Sequence, residues 1–410
     1  MEQPLSRFLY NLLLWALFPF VIFRLVNRGR KQKAYLSHVP ERFGHYDFAL
    51  EGKVVWLHAV SVGEMRAASP LVDALIERGD CTLLITCMTP TGRETGEKLY
   101  GEKAKICYLP YDYPFAVNRF LDHFRPSAGL IMETELWFNL IRLCKKKNVP
   151  LFLVNARLSE KSLKRYLKFE KLARSALSDL SGIAAQTEQD EERLKLLGAK
   201  RIDACGNLKF DVSPPEDIPD FRQFFDERPV FLAASTREGE EEIILDAFEK
   251  REDILLVIVP RHPQRFLEIE KLLKAKNLDY VKRSENRKIS GKTRVFLGDS
   301  LGEMHAYYKA CDCTYIGGSL LPFGGQNLIE AASLGKPAFL GPHTYNFEEA
   351  ARLAIEEGAA LRVDDAEELA LEALKLLNDP RRLAKMGKAG LAFAAQNRGA
   401  ANRILELVGI

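Results

Sequence analysis

The chain has 410 residues, close to half of them apolar, and a formal charge of +3 at neutral pH. That length buries two ordinary cores and that composition excludes a disordered chain, while so small a net charge gives nucleic acid no footprint. Seven cysteines (Cys81, Cys87, Cys107, Cys144, Cys205, Cys311 and Cys313) form neither a C-x-x-C pair nor a disulfide framework, which predicts a reduced body facing the cytosol.

Phe8 to Phe23 is apolar apart from Asn11. As one helix its roughly 16 residues span about 24 Å, against a hydrocarbon core of about 30 Å. Arg24, Arg28, Arg30, Lys31 and Lys33 follow it, whereas Arg7 alone precedes it, opposed by Glu2. A cleavable signal carries its charge ahead of the apolar run, so residues 1–33 read as an uncleaved anchor with a basic flank, leaving the rest in the cytoplasm. The plainer alternative is a core helix that happens to come first.

Residues 34–205 alternate strands with helices. Strands are predicted at Val54 to His58, Thr82 to Thr86, Ile106 to Leu109, Gly129 to Met132, Leu151 to Asn155 and Gly182 to Ala185, with a helix from Glu64 to Arg78. That alternation predicts a parallel, doubly wound sheet whose ligands sit beyond the carboxyl ends of the strands. Glu64, Glu133 and Glu135 lie in those loops, where a carboxylate can act as a general base. Ser61 to Glu64 also fits a capping box, which needs no chemistry. The basic run from Arg142 to Arg174, opposed by Glu160 and Glu170, is either a solvated face or a surface for anionic headgroups or a phosphorylated lipid.

Residues 206–228, with Pro214, Pro215 and Pro219, read as a crossover between domains. A second α/β sheet over 229–380 has strands at Val230 to Ala234, Leu255 to Val259 and Val295 to Leu297. Its organising unit is Tyr315 to Pro342: a strand, a loop with Gly317, Gly318, Gly324 and Gly325, a helix from about Gln326 to Leu334, and another strand. Glycine N–H groups at such a junction suit a phosphate; the alternative is a plain turn with Asn327 and Glu330 as a capping box. Residues 381–410 predict one long helix packing back across both domains. Two such domains with a cleft between them suggest a sugar-nucleotide transferase. The chain has no D-x-D, the tripeptide that commonly holds a metal on the leaving diphosphate, so no metal or other cofactor is expected.

The ordered runs WLHAVSVGEMRAASPLVDAL, TPTG, METELW, NARLS, GNLKFD, PRHPQRF and GGSLLPFGGQNLIEAASLGKP, ending in GPHTYNF, resemble the 3-deoxy-D-manno-octulosonic acid (Kdo) transferases of lipid A biosynthesis. The resemblance runs from the anchor to the last helix. It implies a GT-B fold of two Rossmann-like domains, CMP-Kdo as donor, and the tetra-acylated disaccharide bisphosphate precursor of lipid A as acceptor at the cytoplasmic face of the inner membrane. It places the general base on Glu64 and transition-state support on Glu133 and Lys209. It places CMP contacts on Pro260, Arg261, Leu301, Gly302, Glu303, Asn327, Leu328, Ile329 and Glu330. Phe138, Arg237 and Gln326 depart from the family pattern, the last two where histidines are common beside the donor site. Rival readings are a membrane-tethered regulator that binds CMP-sugar without reacting, and a sugar-nucleotide epimerase on the same frame.

Overall fold

The computed structural model describes residues 4–410. The chain divides into two compact units, Met1–Val212 with Arg398–Ile410, and Ser213–Asn397. Unit 1 runs α1 (Pro4–Ala16), α2 (Phe18–Lys31), β1 (Val54–His58), α3 (Val62–Ala67), α4 (Ser69–Arg78), β2 (Thr82–Cys87), α5 (Pro90–Tyr100), β3 (Lys105–Tyr108), α6 (Pro114–Phe124), β4 (Ala128–Met132), α7 (Phe138–Lys146), β5 (Leu151–Ala156), α8 (Glu160–Leu167), α9 (Glu170–Asp179), β6 (Gly182–Ala185), α10 (Glu188–Leu196) and β7 (Ile202–Ala204). Its seven strands are all parallel in the order β3-β2-β1-β4-β5-β6-β7. The order reverses between β1 and β4, so the crevice for a ligand opens at the carboxyl ends of those two strands.

Helices cover both faces, and β1 shows why its run is apolar throughout. Val55 and Leu57 point into one layer with Leu71, Val72 and Ile404, while Val54 and Trp56 point into the other with Phe120 and Leu140. Trp56 meets Phe120 edge-on at 5.0 Å and donates its Nε1–H to Thr86 Oγ1 at 2.7 Å. Its ring fits because β4 carries Gly129, where a Cβ would lie 2.7 Å from the indole.

Unit 2 holds β8 (Val230–Thr236), β9 (Leu255–Pro260), β10 (Tyr280–Lys282), β11 (Val295–Leu297), β12 (Cys313–Ile316), β13 (Ala338–Leu340) and β14 (Ala360–Arg362). They form a second parallel sheet, ordered β10-β11-β9-β8-β12-β13-β14 and reversing between β8 and β12. Phe231 anchors one face of its core, stacked on Phe248 at 4.7 Å and packed beside Phe339.

Four expected helices differ from the structure. The single N-terminal helix is a pair, α1 and α2, bent by 48°, and among the described residues no single helix is long and apolar enough to cross a membrane. Pro19, in the first turn of α2, lacks the N–H that would continue the ladder across Leu17. The pair docks on unit 1 through polar contacts: Tyr10 OH donates to Asp112 (2.8 Å), Asn139 Nδ2–H to Asn11 Oδ1 (2.8 Å) and Tyr113 OH to the Leu14 carbonyl (2.9 Å). Its outer face leaves Phe8, Leu9, Leu12, Leu13, Phe20 and Phe23 more than half exposed. The Glu64 to Arg78 helix is two, α3 and α4, broken at Ala68 just before Pro70. The helix expected over Gln326 to Leu334 is only Ile329–Ser333. The long C-terminal helix is also two. Pro380–Gln396 lies in unit 2, Gly399 (φ +94°) turns the chain, and Ala400–Val408 returns to the core of unit 1. All seven cysteines are free thiols.

Candidate active site

In unit 1, β1 delivers the chain to Ser61, whose Oγ caps α3 by accepting the Glu64 N–H at 3.4 Å. Glu64 reaches back, accepting the Val60 N–H on Oε2 (2.8 Å) and the Ser61 hydroxyl on Oε1 (3.2 Å). The pattern therefore does close the helix start, with the return bond taken from Val60 rather than from the N-cap Ser61, and it fixes the carboxyl at the β1 end of the switch point. Burial pushes the Glu64 carboxyl up to about 7; the Val60 N–H opposes the shift and the charges of Glu133 and Glu135 add to it.

Glu133 follows β4, on the other side of the switch point. Its backbone is left-handed (φ +57°), an uncommon state for a residue with a Cβ, and its carboxylate pairs with Arg157 Nε at 3.3 Å. Lys209 sits in unit 1 rather than in a free crossover, on a 3₁₀ turn (Leu208–Phe210) that Asn207 caps and that the buried Asn155 holds by accepting the Leu208 N–H at 3.0 Å. Burial lowers the Lys209 ammonium pKa, Glu133 and Glu64 raise it, and Arg157 adds to the lowering. Glu64, Glu133 and Lys209 thus form one cluster of interacting charges. Behind it His58 is fully buried, bonded through Nδ1 to Thr86 Oγ1 (2.8 Å) and held down at about 3 by desolvation, a neutral strand-end side chain.

The residue pattern places Arg157 only within the basic run from Arg142 to Arg174, and it does not mark Arg42. Arg42 is 2% exposed, lies 3.9 Å over the Tyr108 ring, donates to the Met88 carbonyl at 3.2 Å and has Nε and Nη2 unpartnered. Its only sequence signal is a charged pair, Glu41-Arg42, followed by Phe43 and Gly44.

In unit 2 the residues assigned to the donor lie at or after the carboxyl ends of β9, β11 and β12, with Ile329 and Glu330 in the first turn of the helix Ile329–Ser333. Pro260 ends β9, and Arg261 next to it is exposed with no carboxylate partner among the described residues. Leu301 (69% exposed), Gly302 (φ +80°) and Glu303 follow β11, and Glu303 is held by Arg283 Nη2 at 2.9 Å. Asn327 accepts the Ile329 N–H (3.1 Å) and donates to Glu330 (3.0 Å). Leu328 and Ile329 are buried in the core, which leaves their backbone alone to meet a ligand.

The glycine loop departs from expectation. Gly317 N–H bonds Ala234 O (2.8 Å), Gly318 N–H bonds Glu240 Oε2 (2.6 Å) and Gly325 N–H bonds Gly318 O (2.7 Å), so these amides are not free for a phosphate. Glu240, fully buried, takes the anion's place. It also accepts from Arg237 N–H (2.9 Å), Leu320 N–H (3.2 Å), Leu321 N–H (3.4 Å) and Tyr315 OH (2.6 Å). Gly317 is needed for closeness: a Cβ there would lie 2.3 Å from the Ser235 carbonyl. Among the described residues no three His, Cys, Asp or Glu side chains are grouped to hold a metal ion.

Comparison with known proteins follows the same division. Residues 37–212 match the family described as 3-deoxy-D-manno-octulosonic-acid transferase (kdotransferase), and residues 217–393 match glycosyl transferases group 1. The 3-deoxy-D-manno-octulosonic acid transferases of Bordetella pertussis and Haemophilus influenzae are 41% and 36% identical, each over 98% of both chains. A solved UDP-N-acetylglucosamine 2-epimerase from Neisseria meningitidis matches at 16% identity over 87% of this chain and 99% of that one, with a TM-score of 0.59. At that identity the likeness is one of fold, two parallel-sheet α/β units of the GT-B class. With the transferase family matched at high identity along nearly the whole sequence, the chain belongs to the Kdo transferases, glycosyltransferases that move 3-deoxy-D-manno-octulosonic acid.

Proposed function

We propose that the chain moves Kdo from CMP-Kdo to the tetra-acylated disaccharide bisphosphate precursor of lipid A, with inversion and without a metal, at the cytoplasmic face of the inner membrane. The observation that carries its proton-transfer step is the Glu64 carboxyl, fixed by the Val60 N–H and the Ser61 hydroxyl at the unit 1 switch point and raised to about 7 by burial, in one cluster of charges with Glu133 and Lys209. A base of that strength is matched to neutral pH, whereas an ordinary carboxylate is too weak by some two units.

In this mechanism unit 1 takes the acceptor and unit 2 the donor. A primary hydroxyl of the acceptor sugar attacks the anomeric carbon of Kdo from the face opposite CMP. Its proton passes to Glu64 as the C–O bond to the CMP phosphate breaks, and the configuration inverts. Lys209 and the exposed, unpaired Arg261 supply positive charge for the leaving monophosphate, which needs less neutralisation than a diphosphate. Glu133, fixed by Arg157, keeps Lys209 charged and Glu64 basic. Pro260, Arg261, the Leu301–Glu303 turn and Asn327 to Glu330 contact CMP, with Leu328 and Ile329 offering backbone only.

The N-terminal pair holds the protein at the bilayer. The polar contacts of Tyr10, Asn11 and Leu14 tie it to unit 1, so it lies in the interface with Phe8, Leu9, Leu12, Leu13, Phe20 and Phe23 outward. The test is to incubate purified protein with CMP-Kdo and the lipid A precursor, with and without chelator, and to weigh the lipid. Gain of Kdo mass in both arms is expected. No gain with either, or gain only without chelator, contradicts respectively the substrates or the metal-free step.

A further inference from the structure

The basic run that ends at Arg174 is not one uniform face. Lys147 pairs with Asp122 (2.6 Å) and Arg174 with Glu170 (2.8 Å). Lys161, Lys164, Arg165 and Lys168 are different: all four are exposed, and none has a carboxylate partner among the described residues. Their spacing of three, one and three along α8 and its end puts them on one stripe. The opposite stripe, Leu163 and Tyr166, packs on the core of unit 1, so the helix is held with its cations outward. Four like charges on adjacent turns repel one another unless an anionic surface faces them.

The end of that helix is equally unusual. Leu167 is 45% exposed and Phe169, in the turn between α8 and α9, is 69% exposed. Two large exposed apolar side chains beside the stripe of Lys161, Lys164, Arg165 and Lys168 match a headgroup layer over an acyl layer. The corner is also tied to both other features of unit 1. Tyr166 OH donates to the Thr134 carbonyl (3.4 Å) in the loop that carries Glu133 and Glu135. The far end of α9 meets α1 through Arg7, which bonds Ser175 and lies 3.5 Å from Asp179.

We infer that the α8–α9 corner is a second bilayer contact, with Lys161, Lys164, Arg165 and Lys168 on anionic headgroups and Leu167 and Phe169 in the acyl layer. It acts alongside the N-terminal pair and holds the Glu133 loop close to the surface from which a lipid acceptor arrives. The inference rests on the membrane placement proposed above, and the experiment separates the two.

Full-length protein is sedimented with phosphatidylcholine vesicles and with vesicles containing phosphatidylglycerol, at low and high salt. Each cation near an anionic surface multiplies partition about fivefold. The variant K161Q/K164Q/R165Q/K168Q should therefore bind the anionic vesicles roughly six hundredfold more weakly than wild type, with the wild-type salt dependence largely gone. F169S should lower partition roughly tenfold in both lipids. CMP binding and circular dichroism at wild-type values confirm that both variants are folded. An N-terminal variant, L9Q/L13Q/F20Q/F23Q, reports the other contact. If wild type binds, the N-terminal variant does not, and both corner variants bind like wild type, the corner is only a solvated face and the inference is overturned. If wild type binds neither vesicle, the membrane placement falls with it.

Discussion

Each unit buries a glutamate beside the strand pair at which its sheet reverses, and the two glutamates have opposite surroundings. Glu240 in unit 2 accepts five hydrogen bonds, four of them from backbone N–H groups, and is fully enclosed. Glu64 in unit 1 accepts one backbone N–H and one hydroxyl, is half-buried, and has two other carboxylates near enough to push its proton affinity up. Burial of an acid is therefore not the mark of a reactive one. Around Glu240 the donors saturate the side chain and make it a strut, whereas around Glu64 burial, with few donors and two like charges nearby, raises the proton affinity of the acid.

Breaking the two carboxylates in turn tests that contrast. Glu64→Gln should lower kcat on the order of 10²- to 10⁴-fold while CMP binding is unchanged. Because glutamine keeps an acceptor for the Val60 N–H and removes a buried charge, folding stability at neutral pH should equal or exceed that of wild type. The sign follows from the shift: the Glu64 proton affinity is higher folded than unfolded, so wild type loses stability as pH rises from 4.5 to about 7, and the variant does not. Denaturant melts of both proteins at pH 5 and pH 7.5 measure that difference. Glu64→Ala is a poorer probe, since it also leaves the Val60 N–H without its acceptor.

Glu240→Ala should act the other way, destabilising unit 2 by about 3–5 kcal/mol because several buried N–H groups lose their acceptor at once. Hydrogen exchange at Gly318, Leu320 and Leu321 should quicken, while strands of unit 1 exchange as before. Asp112→Ala comes next, at about 1–3 kcal/mol. The Asp112 carboxyl, fully buried and raised to about 6 by desolvation, accepts from the N–H groups of Asn139 and Leu140 and from Tyr10 OH. Its loss should loosen the N-terminal pair, read as faster exchange in α1. The smallest effect is expected from Glu133→Gln, which removes a neighbouring charge and moves the acidic limb of the rate profile down by a fraction of a unit.

Much of this contrast is written in the sequence, unevenly. The six strands expected in unit 1 form because each is buried on both faces and so reads as an unbroken apolar run. The three strands not foreseen, β7, β10 and β14, have three residues each and lie at sheet edges, where no apolar run is needed. Prolines explain two of the helix breaks: Pro19 and Pro70 interrupt apolar patterns that periodicity alone continues.

Glu64 is legible because Ser-x-x-Glu after a strand marks a helix start, although the pattern cannot separate cap from base; the side chain does close the cap, and burial raises that same carboxyl to about 7. Glu240 is hidden among Glu240, Glu241 and Glu242, three acids that look like ordinary partners of a helix dipole. Lys209 reads in the sequence as a cation for a leaving group, but its clustering with Glu64 and Glu133 does not, since Asn155 from a distant strand holds the turn that carries it.

The most direct test of Glu64 as the base is kcat/KM against pH from 5.5 to 8.5, for wild type and for the residual activity of Glu64→Gln. A limb that falls tenfold per unit below about 7 in wild type and is absent in the variant is the predicted result. A wild-type profile flat down to pH 5.5, or a limb that survives in Glu64→Gln, would contradict it.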